Sequence, residues 1–230
     1  MTIKAAIFDM DGTILDTIED LGNAINHTLA HFGYNRVFTP DEAKAFFCNG
    51  ARAAVASALK AVDAPADDAA VDRVLQYYKP YYAAHGNIKT KPYPGIPELL
   101  SMLSSSGIKT AVVSNKPDPA VQNLCSEYFP GMFDFSLGEV PGIRRKPEPD
   151  MVFACLKKLG VSPEEAIYIG DSEVDVQTAR NSDLPCICVD WGFRTRDALT
   201  GADRIVSDCN ELARAIIGYV QLRRLLPFAR

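Results

Sequence analysis

The sequence predicts an α/β fold, a doubly wound parallel sheet interrupted by one all-helical insert. Three observations predict it. Short apolar, β-prone runs recur at 3–8, 109–114, 133–136, 166–170 and 186–189. Stretches of helical patterning separate the later runs, and strand–helix alternation of this kind builds parallel sheets. The interval 17–90 breaks that rhythm, with helical spacing throughout and no strand candidate.

In chain order, Ile3-Lys4-Ala5-Ala6-Ile7-Phe8 reads as a buried strand that gives way to a Gly-containing loop. The insert carries apolar residues at helical spacing over 17–32, 40–47, 51–62 and 67–84. Thr39 is a good N-cap for the second of these, with Pro40 at its first position. Asp16-Thr17 marks the outward crossing and Lys91-Pro92-Tyr93-Pro94-Gly95 the return. The predicted domains are therefore a core of 1–16 with 91–230 and a helical cap of 17–90, movable on two hinges. Beyond it, helix 96–106 stops at Gly107, helix 118–128 before Pro130, and helix 149–159 at Gly160. Helical patterning returns at 173–182 and 208–218, and the basic-amphipathic tail Gln221–Arg230 reads as a terminal helix.

Composition bounds the function. The chain has 230 residues, 47% hydrophobic and 23% charged, which suits an ordinary globular protein able to bury a core. A net charge of −5 argues against a nucleic-acid surface built on phosphate contacts. It leaves room for a small phosphorylated metabolite, because one local cation can override the global field. No apolar run approaches the ~18 residues of a membrane span. The N-terminus shows no signal-peptide pattern, so a cytoplasmic protein without membrane partners is expected, as monomer or homodimer. Cys48, Cys125, Cys155, Cys186, Cys188 and Cys209 form no Cys-x-x-Cys pair and read as buried reduced thiols. Cys186 and Cys188 are expected to point to opposite faces of their strand.

Ligands bind such sheets at the carboxyl ends of the strands, and the polar motifs sit there. The first loop supplies Asp9, Asp11 and Thr13; the second Ser114, Asn115 and Lys116. Arg144-Arg145-Lys146-Pro147 forms the third, and Gly170-Asp171-Ser172-Glu173-Val174-Asp175 the fourth. Two carboxylates two residues apart repel unless a cation sits between them. The set suits phosphoryl transfer. Asp9 is the candidate nucleophile, forming an aspartyl phosphate. A hard cation, Mg2+, would be held by Asp9, Asp171 and the backbone carbonyl of Asp11. Lys146 would neutralise the nucleophile and the phosphoryl oxygens, and Ser114 would donate to them. Thr13 and Asn115 complete the candidate phosphate contacts, with Ser172 and Asp175 as supporting residues. The Asp11 carboxyl would be the general acid/base, protonating the leaving alcohol and then activating water.

Asp9-x-Asp11-Gly-Thr13, Ser114, Lys146 and Gly170-Asp171-x-x-x-Asp175 resemble, in order and spacing, the four motifs of the haloacid dehalogenase-like (HAD) hydrolases. The resemblance spans nearly the whole chain. It implies a Rossmann-like core, a C1 cap made by the helical insert, and a role for Asp175 in orienting Lys146 or the metal waters. Within the family, Ile-Phe-Asp-Met-Asp-Gly-Thr-Ile-Leu-Asp-Thr, Ser-Asn-Lys-Pro and Gly-Asp-Ser look like phosphoglycolate phosphatase-type members, which implies 2-phosphoglycolate as substrate. The dehalogenase and phosphonatase branches lack the second acid, present here as Asp11. β-Phosphoglucomutase-like mutases share that acid and the cap but usually read Gly-Val where Thr13 stands. Pyrophosphate and sugar phosphates are alternative substrates. From a different class, an aspartate-phosphorylated receiver switch would have no cap and no use for Asp11.

In the cap, Gly50 and Arg52 lie at a loop-to-helix junction able to grip an anionic substrate tail, or simply to start a helix. His27 and His31, four apart with no third ligand signalled, read as a solvated or core pair rather than a metal site. Tyr77, Tyr78, Tyr81 and Tyr82 read as cap packing. Arg144 and Arg145 read as solvated.

Overall fold

The computed structural model describes residues 3–47 and 49–225. Cys48 and residues 226–230 of the basic tail lie outside it. The chain divides into two compact units, Met1–Ile14 with Pro92–Arg230, and Leu15–Lys91.

The first unit is the sheet. β1 (Ala5–Phe8), β4 (Lys109–Pro117), β5 (Phe135–Glu139), β6 (Ala166–Gly170), β7 (Cys186–Val189) and β8 (Arg204–Val206) pair in the order β5-β4-β1-β6-β7-β8, all parallel. From β1 the chain builds outward to one side through β4 and β5. It then returns to build the other side through β6, β7 and β8. The end of β1 is thus the switch point, where an open sheet leaves its ligand crevice. β1, β6 and β7 are buried along their whole length, as all-apolar central strands of a covered parallel sheet must be. The crossings are α5 (Ile96–Ser105), α6 (Asp118–Tyr128), α7 (Asp150–Leu159) and α8 (Glu173–Asn181), with α9 (Cys209–Leu225) last. Sequence patterning misses β8, whose three residues begin with an exposed arginine and carry no readable period.

One expectation is corrected. Cys186 and Cys188 share a face: their Sγ atoms lie 3.9 Å apart in the same apolar cluster. Strand side chains alternate with period two, so residues i and i+2 point the same way. Cys125 and Cys155 are also buried, Cys209 is half-buried, and these thiols are free.

The second unit holds α1 (Ile18–His31), α2 (Pro40–Lys44), α3 (Gly50–Ala61) and α4 (Asp68–His85). Thr39 caps α2 in a full capping box with Glu42. β2 (Leu15–Asp16) and β3 (Lys91–Pro92), two residues each, pair where the chain enters and leaves the insert. The buried Asp20 carboxylate of α1 accepts the backbone N–H groups of Ile88, Lys89 and Thr90 and the Thr90 hydroxyl, all at 2.8–3.1 Å. That clasp fastens the segment before β3 to the start of α1. His27 stacks on Tyr81 and His31 on Tyr77, each with ring centroids 3.8 Å apart, and His85 stacks on Tyr81. The histidine pair is therefore part of an aromatic column between α1 and α4. Among the described residues no helix is long and apolar enough to cross a membrane.

Candidate active site

Asp9 follows directly on β1, and its N–H donates to the Ile169 carbonyl of β6 at 2.8 Å. The sheet ladder therefore fixes its backbone. The loop after it turns on Met10, whose carbonyl accepts from the N–H groups of Thr13 and Ile14. Gly12 has φ 81°, and a Cβ there would run into the Asp171 carboxylate. Two independent demands, a left-handed backbone and a close approach, thus select glycine.

β4 carries Ser114, Asn115 and Lys116 to its end, all buried. Asn115 holds the Lys146 main chain from both sides: its Nδ2 donates to the Lys146 carbonyl at 3.0 Å, and its Oδ1 accepts the Lys146 N–H at 2.9 Å. Lys146, 2% exposed, points its ammonium between two carboxylates. Nζ donates to Asp175 Oδ1 at 2.8 Å and stands 2.8 Å from Asp9 Oδ1. The latter contact is a charge pair at hydrogen-bonding distance.

The fourth loop is built around Asp175. Its Oδ2 accepts from the N–H groups of Asp171 and Ser172 and from the Ser172 hydroxyl at 2.6 Å, which closes a capping box at the start of α8. Its Oδ1 takes Lys146 and the Tyr168 hydroxyl, the latter at 3.2 Å. Asp171 accepts the Thr13 hydroxyl on Oδ1 at 3.3 Å and the Phe193 N–H on Oδ2 at 2.7 Å. The Asp11 carboxylate receives both of its bonds from Lys116 Nζ, at 2.9 and 3.0 Å.

Burial dominates the electrostatics. It pushes Asp9 up to about 6, against the pull of Lys146 and with the Asp175 charge adding to the rise. Burial, then the Asp175 and Asp9 charges, hold Asp171 well above the usual carboxylate range. For Lys146 burial works toward the neutral amine, yet Asp175 and Asp9 outweigh it and keep the ammonium well above its ordinary value. Burial likewise raises the Tyr168 hydroxyl and keeps it a donor.

Asp9, Asp171 and Asp175 each offer a carboxylate oxygen, and those oxygens lie within 4.8 Å of one another. Three carboxylates beside one ammonium leave surplus negative charge in a buried place, and oxygen donors suit a hard cation. The residues fit a divalent ion. Asp175 already takes two protein donors on Oδ1 and three on Oδ2, whereas Asp171 takes one on each oxygen, which leaves Asp9 and Asp171 as the carboxylates with capacity to spare. The structure thus gathers Asp9, Asp11, Thr13, Ser114, Asn115, Lys146, Asp171, Ser172 and Asp175 at the strand ends of one unit. In the helical unit Gly50 opens α3 with φ 74°, and the Arg52 guanidinium pairs with Asp68 at 2.7 Å and with Asp72. Sequence reasoning did not single out Tyr168, the Lys116–Asp11 pair or Phe193. A tyrosine in an apolar strand reads as core, and a backbone N–H leaves no mark in a sequence.

Residues 6–189 match the haloacid dehalogenase-like hydrolase family. A phosphoglycolate phosphatase of Agrobacterium fabrum is 33% identical over 193 residues, which cover 82% of this chain and 81% of that one. A crystal structure of a candidate phosphoglycolate phosphatase from Lactobacillus delbrueckii subsp. bulgaricus superposes with a TM-score of 0.91 at 48% identity, covering 94% of this chain and 99% of that one. An aspartate-to-asparagine mutant of CbbY from Rhodobacter sphaeroides, in complex with xylulose 1,5-bisphosphate, superposes with a TM-score of 0.72 at 26% identity over 89% of this chain and 93% of that one.

Proposed function

This chain belongs to the haloacid dehalogenase-like hydrolases and is a phosphoric monoester hydrolase, and on that premise we propose that it hydrolyses 2-phosphoglycolate with Mg2+, through an aspartyl phosphate on Asp9. One observation carries the mechanism: the Asp9 carboxylate stands at the switch point with one oxygen 2.8 Å from the buried Lys146 ammonium. A fixed ammonium beside the attacking oxygen balances charge as the carboxylate reacts at phosphorus.

Asp9 attacks phosphorus as the ester P–O bond breaks, and the Asp11 carboxyl gives its proton to the departing glycolate oxygen. Water then attacks the phosphorus of the acyl phosphate while Asp11 takes a proton from it, which frees Asp9 and inorganic phosphate. Lys146, held by Asp175 and Asn115, balances the charge on Asp9 and on the phosphoryl oxygens, and Ser114 donates to those oxygens; the buried Thr13 hydroxyl, expected to do the same, is instead given to Asp171. Asp9, Asp171 and the Asp11 carbonyl would hold Mg2+, which would spread the charge of the transferring group. The helical unit is the cap. The choice of 2-phosphoglycolate follows the names of the relatives. The complex of CbbY supports a second reading, a sugar bisphosphate.

Phosphate release with Mg2+ from 2-phosphoglycolate, xylulose 1,5-bisphosphate, β-glucose 1-phosphate and pyrophosphate tests the proposal. The highest kcat/KM is expected for 2-phosphoglycolate, with Asp9→Asn abolishing turnover. Conversion of β-glucose 1-phosphate to glucose 6-phosphate would make the protein a mutase, and substantial turnover by Asp9→Asn would remove Asp9 from the mechanism.

A further inference from the structure

We propose that the segment Trp191-Gly192-Phe193, just beyond β7, is a fifth element of the site, a positioning loop that fixes the Asp171 carboxylate for its cation. The proposal rests on the cation reading given above. β6 and β7 run parallel with Gly170 opposite Cys188, so the two strands deliver their following loops side by side. From the second of these loops the Phe193 N–H donates to Asp171 Oδ2 at 2.7 Å, a short charge-assisted bond inside the protein. Gly192 has no room for a side chain. A Cβ there would overlap Asp171 Oδ2, Asp171 Cβ and the Gly12 carbonyl oxygen. Gly12 presses on the same carboxylate from the first loop. Asp171 is therefore clamped between two glycines, with Oδ2 tied to a backbone donor and Oδ1 accepting the Thr13 hydroxyl, while its carboxylate shares the cluster with Asp9.

A second bond couples the loop to the nucleophile's own loop. The Trp191 indole Nε1–H donates to the Thr13 carbonyl at 3.2 Å, and the ring sits 6.1 Å from that of Tyr93. The segment thus touches the loop of Asp9 and Asp11 through a side chain and Asp171 through its backbone. A carboxylate ligand needs a fixed orientation, and outer partners that provide one are worth roughly 10–100-fold in metal affinity. A second consequence follows from composition. Trp191 is the single tryptophan of the chain, so its emission should report on the cation that the loop serves.

The test is calorimetric titration of the full chain with MgCl2, with melting in EDTA as the control for folding. Gly192→Ala should weaken Mg2+ binding by about 10–100-fold while the protein still melts cooperatively in EDTA. Wild-type affinity in Gly192→Ala would overturn the positioning role. If Gly192→Ala does not fold, the wild type decides. Its tryptophan emission should change saturably with MgCl2, at the calorimetric midpoint, and the change should vanish in Asp171→Asn. Emission indifferent to saturating Mg2+ would also overturn the proposal. A wild type that binds no Mg2+ would overturn the cation reading itself, a distinct result.

Discussion

Each unit of the molecule contains an aspartate largely shielded from solvent close to where the chain crosses between them, Asp20 at 3% exposed and Asp9 with a side chain at 13%, and the two are treated oppositely. Asp20, in the helical unit, gives its oxygens to three backbone N–H groups and a hydroxyl. Asp9, in the sheet unit, has on Oδ1 a single charged neighbour at 2.8 Å, an ammonium that Asp175 also holds. A buried carboxylate crowded by donors, as Asp20 is with five contacts, acts as scaffold because little of its accepting capacity is left. One left short of donors is costly, and it persists only where chemistry uses it. The same contrast extends to pairs. Lys146 and Asp175 are sunk in the protein, whereas Arg52, Asp68 and Asp72 share the surface of the helical unit.

The largest effect should come from breaking the buried pair. Lys146→Met leaves Asp9 and Asp175 without their cation and should cost about 3–5 kcal/mol, read by urea unfolding in EDTA, with part recovered in the double variant carrying Asp175→Asn. A loss no greater than that of a surface variant would show that Lys146 is not the keystone of the cluster. Next come the two aspartates, with opposite signs. Asp20→Ala strands its donors and should lower stability by about 1–3 kcal/mol. Asp9→Asn, which removes a charge that burial disfavours, should raise the melting temperature in EDTA while ending turnover. If both variants melt lower, the two carboxylates are not of different kinds.

The pH dependence sharpens the same point. Without a cation the folded Asp9 titrates near 6 rather than at its ordinary 3.8. The folded state therefore holds that proton more tightly than the unfolded chain does. The stabilisation it brings is complete below about 4 and is lost as pH rises through about 6. Mg2+ competes with the same proton, so its apparent affinity should fall by about tenfold per pH unit below 6, measured by calorimetry at several pH values. The smallest effect belongs to the surface pair: Arg52→Ala should leave the melting temperature unchanged, since exposed ion pairs contribute little. A raised KM in that variant would show that Arg52 reaches the substrate.

How much of this the sequence revealed follows a physical line. Asp9, Asp11, Gly12 and Asp171 were legible because each lies within a few residues of an apolar strand that places it. The helices were legible from their period and their stops, such as Gly107 and Gly160. Tyr168 was not legible, because its role depends on the register that brings β6 beside β1 and on the path of Asp175 back over it. Phe193 contributes a backbone N–H, which any residue but proline supplies. The shared face of Cys186 and Cys188 was legible and was misread, since alternation puts neighbours, not next-neighbours, on opposite faces. Arg52 was legible as a cation, while the acidic partners it meets on α4 depend on how α3 and α4 pack.

The central claim is that Asp9 carries the phosphoryl group. Acid quenching during turnover of 2-phosphoglycolate, followed by mass spectrometry of the intact chain and its peptides, measures that directly. The account predicts one added phosphoryl group, located on Asp9 and absent when Asp9→Asn is quenched in the same way. Phosphate release with no phosphorylated protein at any quench time, or a phosphoryl group on another residue, would contradict it.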